Sequence, residues 1–112
     1  MNSNLISIEE FSRIDLRVAE IKSVEDHPDA DKLLVLKIDA GDGIEDRQLV
    51  AGIKGHYSPS ELVGKKVIIV NNLTPAVLRG VESQGMLLAA QDGQDIVVLS
   101  PEKDVRAGAQ VC

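Results

Sequence analysis

Apolar and polar residues alternate along most of this chain with the period of two that places successive side chains on opposite faces of a strand. The reading from Asp15 to Val24 is strand-like, but Leu16 and Val18 share one face before the apolar phase moves to Ala19 and Ile21. A phase switch inside a strand predicts a bulge or a strong bend, and bent strands are what a small barrel needs in order to close. Leu34, Leu36, Ile38 and Ala40 then alternate with Val35, Lys37 and Asp39 in a half-buried strand. Gly41 to Gly43 marks a turn, and Arg47 to Gly52 reads as a short strand with Leu49 and Ala51 opposite Val50. Lys65 to Val70 is apolar on both faces beyond its lysines, as a central strand would be. Met86 to Gln91 and Ile96 to Leu99 flank Asp92 and Gly93, the strongest hairpin signal in the chain. The tail from Pro101 to Val111 is short and mixed, and is read as an edge segment.

Helical periodicity is confined to two places. Ser7 and Glu10 stand at capping-box spacing and predict a helical turn over Ile8 to Ser12. Ser58, Pro59 and Glu61 predict a second, running through Leu62. Six or so short strands and two helical turns make an all-β domain, more economically a small closed or partly open barrel than a sandwich.

The stretch from Asn71 to Ala90 departs from this pattern. Pro75, Gly80 and Gly85 punctuate turns there, and Asn71, Asn72, Thr74, Arg79, Ser83 and Gln84 supply hydrogen-bonding side chains. A rigid loop presenting polar groups to a partner would need such residues, and an ordinary solvated connection has the same composition.

Length and composition narrow the class. The 112 residues, 44% of them hydrophobic, fit one folded domain. Cys112 stands alone, so no intramolecular disulfide forms and a reducing compartment is natural. No apolar run reaches the roughly 18 residues needed to span a bilayer, and the N-terminus lacks the basic start and apolar segment of a signal peptide. A cytoplasmic protein is expected. The net charge of −6 argues against binding nucleic acid by bulk charge, and leaves room for a local basic face.

Candidate chemistry is sparse. His27, Asp29 and Asp31 alternate in the Glu25 to Lys32 loop, but His56 has no His or Cys partner and no calcium-loop spacing occurs; an Asp-rich turn is the simpler reading, and no metal or other cofactor is expected. Asp39 to Asp46 reads as a solvated hairpin end. Ser83 lacks a nucleophile-elbow context, and phosphate-loop glycines are absent, so nothing points to an enzyme. Single-strand binders stack bases on aromatic side chains, and Phe11 and Tyr57 are too few for a platform. Recognition of a folded RNA by shape needs none. The candidate contacts are Lys32, Lys65, Lys66 and Arg79, whose commoner role is to solubilise a surface.

The segments RIDLRVAEI, HPDADKL, VAGI, LVGKKVIIVNNL and RGVESQGMLLAA, in this order, together resemble the tRNA-binding domain family. That family supplies the C-terminal module of methionyl-tRNA synthetases and also a free-standing tRNA-binding protein. The resemblance runs from about Ile8 to the C-terminus, and a start at Met1 suits the free-standing form or a synthetase fragment made alone. It implies an OB-fold, a five-stranded Greek-key barrel with short helical turns and added C-terminal strands, in a single domain spanning residues 1–112. It also implies a homodimer that binds folded tRNA without reading an anticodon, alongside a synthetase catalytic domain in the appendage form. By motif, the tRNA-binding positions carry over to Lys32, Asn72, Arg79, Ser83 and Met86. Thr74 stands where relatives often have Lys, and Ala76 and Val77 where they have further basic residues, which bears on affinity. Two other readings stay open: a secretion-associated chaperone that binds peptides at its dimer interface, and a pure dimerisation appendage.

Overall fold

The computed structural model describes residues 4–112. Its central element is β1 (Leu16–Asp26), which pairs antiparallel with β4 (Lys66–Val70) through its first half and with β2 (Leu34–Asp39) through its second. A register shift between Ile21 and Ser23 lets one strand serve both neighbours. This is the bend that the phase switch predicts, placed just past Ile21. β3 (Arg47–Ala51) extends the sheet beyond β2 and β7 (Met86–Leu87) extends it beyond β4, so the strand order is β3-β2-β1-β4-β7. The result is a nearly closed five-strand antiparallel barrel of the OB class.

Period-two patterning fills the interior as expected. Ala19, Ile21, Leu36, Leu49, Val67 and Ile69 are fully enclosed in one cluster with Leu34, Ile38, Ala51 and Leu87. Leu62, on the helical turn α2 (Pro59–Leu62), belongs to the same cluster. Ser58 caps that turn, its N–H donating to the Glu61 carboxylate at 2.8 Å. The N-terminal turn α1 (Ile8–Ser12) carries the expected Ser7–Glu10 capping box, yet none of its residues is buried.

Barrel closure is made largely by side chains. β3 lies at one end of the strand order, so its outward N–H groups need acceptors. Ser83 Oγ accepts the Val50 N–H at 3.0 Å, and Gln84 Oε1 accepts the Gln48 N–H at 3.0 Å. One backbone bond, Gln84 N–H to the Gln48 carbonyl at 2.7 Å, joins them.

The remaining strands are short additions, and they raise the total among the described residues from the six or so expected to ten. β5 (Ala76–Leu78) and β6 (Val81–Ser83) form a small hairpin inside the stretch that patterning leaves as a loop. The apolar run from Met86 divides at Leu88: β7 stays in the barrel, while β8 (Ala89–Asp92) pairs with β9 (Asp95–Val98). That hairpin turns at Gly93 and Gln94, one residue beyond the expected Asp92–Gly93 pair. β10 (Gln110–Val111) pairs with the start of β1, making the tail an edge strand as expected. No helix among the described residues is long and apolar enough to cross a membrane.

Candidate nucleic-acid interface

The β5–β6 hairpin turns on two residues in the left-handed region, Arg79 at φ 52° and Gly80 at φ 87°. That pairing is the one a tight two-residue hairpin demands. Glycine meets it freely, whereas Arg79 is held there by its surroundings, since the left-handed region costs an L-residue about 1–2 kcal/mol. Its guanidinium donates to the Asp29 carbonyl at 3.1 Å, in the loop between β1 and β2.

That loop carries Lys32. Between loop and hairpin tip lies an open cleft of about 330 Å³, lined by Asp29, Ala30, Asp31, Lys32, Leu33 and Arg79. Two of the cations singled out from sequence therefore share one concave surface although they lie 47 positions apart in the chain. Ion pairs among the described residues engage Arg17, Lys22, Arg47, Lys54 and Lys66, and neither Lys32 nor Arg79. Both are exposed, so both charges face solvent, where an anion can reach them. Asp29 and Asp31 on the same walls moderate the local field. Lys66, by contrast, donates to Asp104 at 2.7 Å and to the Val105 carbonyl, and Lys65 is half-buried beside it in the chain.

The other carried-over positions lie elsewhere. Ser83 is 2% exposed: besides accepting from Val50, its hydroxyl donates to the Gly85 carbonyl at 2.7 Å. Met86 is half-buried against the core. Asn72 is exposed, but its amide donates to the Arg13 carbonyl at 2.7 Å and accepts the Asp15 N–H at 2.8 Å, and it lines a separate groove with Ile6, Ile14 and Leu73.

Two buried polar residues that patterning passes over hold this region together. Arg47, 8% exposed, donates to the Gln84 carbonyl at 3.0 Å, to the Asn71 carbonyl at 2.7 Å and side chain, and to Asp42 at 3.1 Å. Asn71 in turn donates to Asp15, which also accepts from Arg17 at 2.6 Å. The Arg17 and then the Asn71 hydrogen bond hold the Asp15 carboxyl below its ordinary value of 3.8. His27, weighed above only as a metal ligand, is 4% exposed and has both ring nitrogens engaged in hydrogen bonds within the chain. Apart from Asp29 and Asp42, close in sequence, the partners of these two residues lie 24 to 51 positions away, so the bonds that tie them across the fold leave no local signal. Aromatic rings contribute nothing at the cleft: Tyr57 accepts the Val98 N–H through its hydroxyl at 3.1 Å, and Phe11 belongs to α1.

Fold and site together define an OB-fold module that, among its described residues, offers two exposed cations outside any ion pair from neighbouring loops, with no aromatic ring lining the cleft between them. The chain belongs to the tRNA-binding domain family: the sequence model described as "Putative tRNA binding domain" matches residues 16–110. A methionine–tRNA ligase from Pyrococcus furiosus is 58% identical over 106 residues, covering 95% of this chain and 14% of the ligase. The chain thus spans about one-seventh of such relatives. Among solved structures, a MetRS-related protein from Pyrococcus horikoshii superposes with a TM-score of 0.89 at 36% identity, covering 97% of this chain and 99% of that one. A CsaA chaperone protein from Picrophilus torridus superposes with a TM-score of 0.88 at 34% identity, covering 96% and 100%.

Proposed function

We propose that this chain is a non-catalytic module that binds folded tRNA by shape, in the cytoplasm, as a free-standing protein or as the appendage of a methionyl-tRNA synthetase. The observation that supports this most is the cleft in which Lys32 and Arg79, both exposed and outside any ion pair among the described residues, face one surface. Two charges on hydrogen-bonded loops, with neither Phe11 nor Tyr57 lining the cleft, suit phosphates held at a fixed spacing by a folded RNA. Lys32 and Arg79 act as the phosphate contacts, while Asn72, bonded to Arg13 and Asp15 in a separate groove, serves by holding the start of the segment that leads to Arg79. Ser83 and Met86 serve from inside, by fixing the segment that carries Arg79.

The working unit is a homodimer. Leu5, Ile6, Ile8, Phe11, Ile14 and Leu73 all stand exposed around α1, and the first three are 74%, 62% and 72% accessible. A helical turn that buries none of its own residues while presenting this apolar surface is best covered by a second copy in twofold symmetry.

Filter binding of total tRNA, against a poly-pyrimidine RNA of equal length and an unfolded peptide as competitors, tests the function. Folded tRNA is expected to bind and neither competitor to displace it. Displacement by the single strand contradicts shape recognition, and preferential capture of the peptide supports a chaperone instead.

A further inference from the structure

His27 does not line the cleft but bonds to residues on both of its sides, Asp29 in the loop that carries Lys32 and Leu78 next to Arg79. Its Nδ1 accepts the Asp29 N–H at 2.9 Å, which leaves the proton on Nε2. Nε2 therefore donates to the Leu78 carbonyl, 2.9 Å away and 51 residues further along the chain. Leu78 ends β5, next to Arg79, and Asp29 lies in the loop that carries Lys32. One rigid ring thus joins the two loops while being too enclosed to touch a ligand, at 4% exposure.

We propose that His27 is the positioning residue of the tRNA site, setting the separation of Lys32 and Arg79 by clipping the β5–β6 hairpin to the β1–β2 loop. This rests on the tRNA-binding reading above. The Arg79 bond to the Asp29 carbonyl spans the same gap from the exposed side, but at the site it competes with phosphate for the guanidinium. The His27 clip does not, so it keeps the hairpin in place when Arg79 turns to a ligand. The ring serves both loops at once because one nitrogen accepts and the other donates across a fixed distance. Substitutions can separate those two ends: an Asn oxygen falls near Nδ1, and a Gln amide nitrogen near Nε2.

The test combines His27→Asn, His27→Gln, Arg79→Ala and the His27→Asn, Arg79→Ala pair, measured by tRNA filter binding at low salt and by amide hydrogen exchange without RNA. His27→Asn retains the loop bond but leaves the Leu78 carbonyl without its donor, and is expected to fold with a lowered melting temperature. It speeds exchange of the β5–β6 amides and weakens binding about fivefold. His27→Gln retains the hairpin bond and stays within about twofold of wild type, which carries the test independently of how His27→Asn folds. In the Arg79→Ala background, His27→Asn costs less than about twofold, because the cation it places is gone. Equal losses in both backgrounds, or a folded His27→Gln as weak as Arg79→Ala, overturn the positioning role while leaving tRNA binding intact. A wild-type chain that fails to bind tRNA overturns the functional reading first, and this proposal with it.

Discussion

Arg47 shows 8% of its surface to solvent, and its bonds reach three separate segments, at Asp42, Asn71 and Gln84. Removing one partner of a buried charged group costs roughly 3–5 kcal/mol when the others are left uncompensated. The Asp42 side chain is 32% exposed and can rehydrate, which puts the loss at the lower end of that range. Arg47→Met, which keeps most of the volume, should lower stability by about 3 kcal/mol, seen as a shifted urea midpoint with an unchanged slope. Ser83→Ala leaves the Val50 N–H without its acceptor at a buried site and should cost about 1–3 kcal/mol by the same measurement. Asp15 adds a pH dependence. Its carboxyl is held below 3.8 in the fold, so the unfolded chain binds the proton more readily. The stabilisation is complete above about pH 4 and is lost as pH falls through the lowered folded value. Melting temperatures from pH 5 to 2.5 should fall more steeply for wild type than for Asp15→Asn.

Among elements, the C-terminal strand β10 depends on two closely packed glycines, Gly41 and Gly108. Gly108 sits at φ 91°, its N–H donates to the Val18 carbonyl at 2.7 Å, and an added Cβ would come within 2.9 Å of the Ala40 carbonyl oxygen. Gly108→Ala should therefore detach β10 from β1, which faster hydrogen exchange at Leu16 and Val18, whose N–H donates to the Ala109 carbonyl, would report, and should cost at least the roughly 1–2 kcal/mol of the left-handed conformation. Most barrel strands are legible from period-two patterning, because each has one face in the core. The bend of β1 is legible too, since a phase switch leaves a mark in the sequence. The β5–β6 hairpin is not: its strands have three residues each, and Arg79–Gly80 lacks the Asn-Gly or Asp-Gly turn signal. The same limit governs the site. Motif order brings Lys32 and Arg79 forward, but the bonds that place them run from His27 and Arg47 to positions far along the chain, where no local pattern can register them.

At the scale of the whole molecule, a net charge of −6 means that tRNA affinity must come from a few placed cations rather than from the average field. A dimer doubles those cations along one RNA, and two weak sites on one ligand reinforce each other through effective concentration if both can engage. Sedimentation equilibrium at micromolar concentration should show a dimer. Ile8→Asp with Leu73→Asp should yield a folded monomer that binds tRNA more weakly than the dimer does; full binding by that monomer would remove the avidity argument. The central claim, that Lys32 and Arg79 meet phosphates, is tested most directly by the salt dependence of tRNA affinity. The logarithm of the binding constant against that of salt concentration should have a slope reduced by roughly one for Lys32→Ala and again for Arg79→Ala, with all tRNA species weakened alike. An Arg79→Ala protein with unchanged affinity and slope at low salt would contradict it.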